Sequence, residues 1–284
     1  MNASRFKPIR VLGKGIYGIT SLAKDTQTLK PVAIKKMEMS PSNTRLARAE
    51  ISALQKLSEP ACHPNIVCYL GSYEEATSQF ITTVYIVMEY IEGVPLTNFF
   101  INNKGLPIVI SRVQKVFEQL LKGLQYIHSR KYAHRDIKPD NIMITAKDVL
   151  KYIDFGLSCV ETCMTTCEST CTNIVGTELW AAPEHFLRKE NLNLQGAQAH
   201  DIWSLGVVLF QLVNDGTFPF DENDNLTDQE VRRNISMAPS KFSNYSNPSI
   251  NVIVRSMLTN DPTRRPNIQT IIQLFNVLVA SEEM

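Results

Sequence analysis

The sequence predicts an α+β chain folded as two packed lobes with a ligand cleft between them, and three observations carry that expectation. Residues 6–37, and later NIVCYLGSY and TVYIVMEY, show the short apolar runs and turn residues of strands. Residues 108–130 make one long amphipathic pattern, and four more helical patterns follow it. A length of 284 residues gives room for one large domain or two lobes, each with its own core.

Taken in order, FKPIRVL, GITSLAKD and PVAIKKM read as three strands joined by short loops. Residues 44–57, TRLARAEISALQKL, bring Leu46, Ile51, Leu54 and Leu57 to helical spacing among alanines that favour helix. With the two later strands, the first lobe holds five strands, mostly antiparallel, and one helix. The expected boundaries are 1–91 for this lobe and 92–284 for the second, within a single domain over 1–284. IVISRVQKVFEQLLKGLQYIHSR sets Val109, Val113, Val116, Leu120, Leu124 and Ile127 on one stripe. IMIT and LKYI flank a turn at Lys147–Asp148. Residues 155–182 are polar and too long for an ordinary connector, which points to a functional loop. Helical patterns return at 201–213, 227–236, 249–258 and 267–280, so the second lobe is mainly helical and the cleft lies between the lobes.

An apolar content of 44% and a charged content of 20% are those of an ordinary soluble protein. The net charge of +1 gives no reason to expect a nucleic-acid or membrane-surface partner. No apolar run approaches the roughly 18 residues of a spanning helix. The start, MNASRFKPIRVLG, lacks the apolar core of a signal peptide, and neither Asn2 nor the SEEM end fits a lipid anchor. The expectation is a soluble, monomeric, cytoplasmic protein, with the nucleus left open. Its six cysteines are then expected to be free thiols. Cys159, Cys163, Cys167 and Cys171 recur every four residues, a helical spacing in which four thiolates can hold zinc. Threonine-rich sequence is a poor helix former, however, and structural zinc sites use tighter pairs. Free thiols are the expectation, with a redox switch and a metal site as alternatives.

GKGIYG (13–18) is weak evidence by itself. ITSLAK after it reads as a strand, so a β-hairpin lid fits better than the start of a helix. The glycines would let the backbone lie close over phosphates and take up φ > 0; a glycine-rich hairpin without a ligand is the plain alternative. Lys35 ends VAIK, and Glu50 sits among apolar positions on a helix face that should look inward. Together they make a phosphate clamp, where either alone would be an ordinary solvated charge.

HRDIKPDN (134–141) and DFG (154–156) are the strongest signals. With GKGIYG, VAIK, Glu50, GT…APE (176–184), DIWSLG (201–206) and DPTRRP (261–266), the chain resembles the eukaryotic-type protein kinases from about Leu12 to Pro266. The resemblance implies the two-lobed kinase fold, ATP and Mg²⁺, and protein substrates with serine or threonine acceptors. It implies that Leu12, Gly13, Lys14, Gly15, Ile16, Tyr17, Gly18 and Thr20 form the lid over the nucleotide, Thr20 standing where valine is usual. Lys35, held by Glu50, would grip the α- and β-phosphates. Met88 would be the gatekeeper, the backbones of Glu89 and Ile91 would bond the base, and Ala33 and Met143 would sandwich it. Asp136 would accept or orient the substrate hydroxyl proton, Lys138 would neutralise the γ-phosphate, and Asn141 and Asp154 would hold Mg²⁺.

Lys138 two residues after Asp136, with Gly176-Thr177 before Ala182-Pro183-Glu184, resembles serine/threonine rather than tyrosine kinases. Thr177 is expected to bond Asp136 and Lys138. Trp180 replaces the usual tyrosine, Leu157 leans toward serine, and Asp140 toward a basic residue before the acceptor. Arg135 resembles the arginine that meets a loop phosphate, so control through the activation segment is expected. Asn173 occupies the common acceptor position, which leaves Thr172 or Thr170 as candidates. Glu184 and Arg265 resemble a buried ion pair. A non-catalytic module of this fold would have lost some of the lid glycines, Lys35, Asp136 or Asp154. A small-molecule kinase would lack GT…APE and DPTRRP.

Overall fold

The computed structural model describes residues 1–15, 18–39, 41–76, 82–102, 108–160, 176–186, 193–214, 216–220, 227–237 and 248–282. The first lobe is a five-stranded antiparallel sheet in the order β1-β2-β3-β5-β4, formed by Phe6–Gly15 (β1), Gly18–Asp25 (β2), Pro31–Glu38 (β3), Tyr69–Ala76 (β4) and Thr82–Glu89 (β5). Pro8 lies on the edge strand β1, where a missing N–H costs the ladder least. Strand alternation divides the sheet's burial between two faces. Phe6, Ala23, Val32, Ile34 and Val87 form one cluster, closed by Tyr73 and Tyr85 stacked at 4.6 Å. Met37, Val84, Ile86 and Met88 belong to the main core with Ala47, Ala53, Leu54 and Leu57 of the helix Pro41–Leu57 (α1).

The strand expected from Asn65 begins only at Tyr69. Asn65–Val67 are drawn off to the other lobe: Val67 N–H donates to Tyr152 O at 3.0 Å, and Tyr152 N–H donates to Asn65 O at 2.9 Å. The two elements directly after the first lobe were not foreseen, the short strand Gly93–Pro95 (β6) and the helix Leu96–Asn102 (α2). Each is too short to show a period.

In the second lobe Ile110–Ser129 (α3) buries Val113, Val116, Phe117, Leu120, Leu124 and Ile127, close to the predicted stripe; Val109 stands just outside as the N-cap and is exposed. Tyr132–Ala133 (β7), Ile142–Thr145 (β8), Leu150–Tyr152 (β9) and Cys159–Val160 (β10) form two small sheets, β10-β7 and β6-β8-β9. After the short helix Pro183–Phe186 (α4) comes Leu194–Val213 (α5), in which every residue from His200 to Leu212 is buried. A helix apolar on all sides belongs at the centre of a helical lobe. It starts seven residues before the predicted 201, because Asn193 caps it by accepting from Gly196 N–H at 2.8 Å. Asp228–Met237 (α6), Pro248–Met257 (α7) and Ile268–Glu282 (α8) match the last three patterns within two residues at each end. No helix among the described residues is long and apolar enough to cross a membrane.

The expectation of free thiols fails at Cys62 and Cys68, which form a disulfide with Cα atoms 5.3 Å apart. The loop between α1 and β4 folds back on itself and brings the two within bonding reach. Cys159 is also disulfide-bonded. Cys163, Cys167 and Cys171 lie outside the described residues, as do Thr170, Thr172 and Asn173.

Candidate active site

The lid is a β-hairpin: Gly15 pairs with Gly18, Lys14 with Ile19 and Gly13 with Thr20. The expected φ > 0 is absent at Gly13, Gly15 and Gly18, since the strands run extended up to the turn. Gly18 is required for another reason: a Cβ there would collide with the carbonyl of Lys36. A Cβ on Gly13 would meet nothing within 4 Å. Leu12 and Lys14 are exposed, Thr20 is half-buried, and Ile16 and Tyr17 lie outside the described residues.

Strand pairing sets Lys35 between Thr20 of β2 and Ile86 of β5. Its Nζ lies 2.8 Å from both carboxylate oxygens of Glu50 and 2.9 Å from Asp154 Oδ1. Burial disfavours the ammonium, but the charges of Glu50 and Asp154 outweigh it and hold Lys35 above its ordinary value. Burial likewise works against ionisation of Asp154, yet Lys35 and the Gly156 N–H hold that carboxyl below the usual range. Glu50 is almost sealed from solvent at 1% exposure; burial pushes its carboxyl up while Lys35 pulls the other way. The pairing of Lys35 with Glu50 expected from the sequence is therefore present, and Asp154 joins it.

Asp136 is held from both sides. Its Oδ1 accepts from Thr177 N–H at 3.0 Å and Thr177 Oγ1 at 2.8 Å. Its Oδ2 accepts from Asn141 Nδ2 at 2.8 Å and lies 2.9 Å from Lys138 Nζ. Lys138 also donates to Thr177 Oγ1, so the expected three-way contact is present. Because Asn141 spends its Nδ2 on Asp136, its Oδ1 is left as an acceptor. Ile153 N–H donates to Asn141 O at 2.9 Å, which sets Asn141 beside the residue preceding Asp154.

The backbone that presents Asp136 is unusual. Arg135 has φ 66° and Asp154 φ 58°, both in the left-handed region. Buried Asp201 braces the first of these, accepting from His134 N–H at 2.8 Å, Arg135 N–H at 2.7 Å and His128 Nε2 at 2.9 Å. Gly176 has φ 125°, and a Cβ there would stand 2.6 Å from the carbonyl of Arg135, so only glycine lets Thr177 reach Asp136. Asp201 was not named as a site residue from the sequence. The signal was the first residue of DIWSLG, an aspartate leading an otherwise apolar helix pattern.

At the other end of the cleft, Ala33 pairs with Met88 across β3 and β5, and Met143 on β8 lies opposite Pro95 and Lys151. Met88 is buried; Ala33, Ile91 and Met143 are partly open. Glu89 uses its backbone N–H on Cys68 O at 3.0 Å. Its carboxylate accepts from Cys68 N–H at 2.8 Å and Lys151 Nζ at 2.7 Å. This anchoring of the segment between the lobes was not foreseen.

Glu184 and Arg265 form the predicted buried pair, with Nη1–Oε1 at 2.8 Å and Nη2–Oε2 at 3.0 Å. Arg265 also donates to Thr259 O and Ala199 O. Arg135 Nε donates to Leu157 O at 2.6 Å.

Comparison with known proteins agrees with this geometry. The family described as the protein kinase domain matches residues 6–275. The chain is 32% identical to the ovarian-specific serine/threonine-protein kinase Lok of Drosophila melanogaster, over 93% of this chain and 55% of that protein. It is 31% identical to CBL-interacting protein kinase 32 of Oryza sativa subsp. japonica, over 93% of this chain and 57% of the relative. It is 32% identical to serine/threonine-protein kinase PAK mbt of Drosophila melanogaster, over 89% and 37% respectively. The chain belongs to the protein kinase family. It spans about half the length of the first of these relatives.

Proposed function

We propose that this chain transfers the γ-phosphate of ATP to serine or threonine hydroxyls of protein substrates, with Asp136 as its catalytic carboxylate. The observation that carries this assignment is the fixed carboxylate of Asp136, oriented by Asn141, Lys138 and Thr177. Phosphoryl transfer needs alignment and charge neutralisation more than covalent help from the protein. A carboxylate so restrained takes up or orients the acceptor's hydroxyl proton at one defined point.

Asn141 and Asp154 offer oxygen donors, the ligand type that magnesium prefers, and Lys35 occupies only one of the two Asp154 oxygens. Bound there, magnesium would neutralise phosphate charge. The remaining work falls to the chain's own groups. Lys35, kept charged by Glu50, grips the α- and β-phosphates, and Lys138 neutralises the group in transfer. Ala33 and Met143 face the two sides of the base. Ile91 N–H and the carbonyl of Glu89 bond its edge, the Glu89 N–H being already committed to Cys68. The described lid residues, Leu12 to Gly15, Gly18 and Thr20, cover the phosphates.

The resemblance of Lys138 to the lysine of serine/threonine kinases, and relatives named as such, support an aliphatic hydroxyl as acceptor. Hydrogen bonds from Thr177 N–H and Oγ1 to Asp136 tie the end of the activation segment to the catalytic carboxylate, which supports control through that segment. Incubation with Mg-ATP labelled at the γ-position and a generic basic protein tests the assignment. Phosphoamino-acid analysis should give phosphoserine and phosphothreonine, and a chelator should abolish the label. Phosphotyrosine alone, or labelling indifferent to chelation, would contradict it.

A further inference from the structure

The disulfide Cys62–Cys68 lies on the loop that joins two parts of the cleft. Upstream is α1, which carries Glu50; its end is tied in by Tyr69 N–H donating to Ser58 Oγ at 2.9 Å. Downstream, Cys68 brackets Glu89: its N–H donates to the Glu89 carboxylate and its carbonyl accepts the Glu89 N–H. Glu89 ends β5, beside the cleft. The sulfur of Cys68 thus belongs to the residue that holds the interlobe segment from both sides. Cys62 is exposed and Cys68 partly so, within reach of small thiols. Exposed disulfides are the labile ones, whereas structural disulfides resist reduction.

We propose that Cys62 and Cys68 are a reversible thiol–disulfide site whose state is read at the nucleotide cleft through Glu89. This rests on the phosphotransfer assignment above. Oxidation needs an external disulfide of the glutathione class. The thiolate of Cys62, the more exposed of the two, attacks one sulfur of that disulfide and releases one thiol. The thiolate of Cys68 then attacks the Cys62 sulfur of the mixed disulfide and releases the second. The two cysteines lose two protons and two electrons, and the external disulfide gains both. A dithiol reductant reverses the exchange. The closed loop has fewer conformations than the open one. Oxidation therefore holds the backbone of Cys68 against Glu89, and reduction releases it.

The full chain is equilibrated in glutathione disulfide or in dithiothreitol, then alkylated and mapped by mass spectrometry. Affinity for Mg-bound adenylyl imidodiphosphate is measured in parallel by calorimetry. The expected result is a linked Cys62–Cys68 peptide only in the first buffer, with binding about fivefold tighter there, the lower end of ordinary coupling between two sites. Cys62→Ser and Cys68→Ser should bind at the weaker level in both buffers. The proposal is overturned if the bridge does not form, if it forms without changing affinity, or if the difference persists in Cys62→Ser. Persistence would move the effect to Cys159 and the cysteines after it. Loss of analogue binding in both buffers would overturn the phosphotransfer assignment, and this inference with it.

Discussion

Arg135 adopts a left-handed backbone, which costs a residue with a side chain about 1–2 kcal/mol. Asp201 offsets that cost with hydrogen bonds from the N–H groups of His134 and Arg135, and both are charge-assisted. Burial opposes ionisation of Asp201, but the hydrogen bond from His128 and the charges nearby hold its carboxyl below the ordinary range. The preceding residue, His200, behaves in the opposite way. It is buried, and neither ring nitrogen has a partner among the described residues. Burial lowers its value from 6.5 to about 4; Glu184 and Asp201 favour the charged ring, while His185 and Arg265 oppose it. Well above pH 6.5 the ring is neutral in folded and unfolded chains alike. Between 6.5 and about 4 the unfolded chain binds a proton that the folded chain refuses, so stability falls as pH falls. That interval corresponds to roughly 3 kcal/mol. Replacing His200 by leucine should flatten the melting temperature across this window, and an equally steep decline in the variant would contradict the assignment. Nothing in the sequence marked this histidine, because its unpaired burial depends on packing between α5 and the end of the activation segment.

Elements differed in how plainly the sequence displayed them. The long stripe of α3 and the last three helices were legible from period alone, since each buries one face. The first seven residues of α5, LQGAQAH, were not, because they are mostly polar and small and the capping by Asn193 is the signal of their start. The hairpin expected for the lid is present, but its described glycines do not take up positive φ, and close packing on Lys36 explains Gly18 better. Most of the site could be read because the motif residues are fixed by chemistry. The Cys68–Glu89–Lys151 anchoring could not, since it joins three elements distant in sequence. At this scale Arg265 is decisive, with its side chain at 0% exposure and Glu184 at 3%. Arg265→Ala leaves the Glu184 carboxylate buried without its partner and should lower unfolding stability by about 3–5 kcal/mol. Nucleotide affinity should change little in whatever folded protein remains. Wild-type melting of the variant would contradict this.

Across the whole molecule, Lys35 joins three parts of the chain: β3 by its backbone, α1 through Glu50, and the segment after β9 through Asp154. One hydrophobic core continues from Met37 in the first lobe to Phe275 in α8, so the lobes close on a shared interior and not only on a ligand. Asp136, Asn141 and Thr177 stand on the far side of the same cleft, where the activation segment returns to the catalytic loop. The function of the whole molecule therefore turns on whether this carboxylate does the chemistry. The most direct measurement is the rate of γ-phosphate transfer to a generic protein substrate by wild type and Asp136→Asn, with melting temperature followed in both. Wild type should give alkali-labile phosphate on serine and threonine. The variant should melt at a similar temperature and transfer at least about 100-fold more slowly. Transfer by the variant within a fewfold of wild type would contradict the central role given to Asp136, as would a well-folded wild-type chain that transfers nothing.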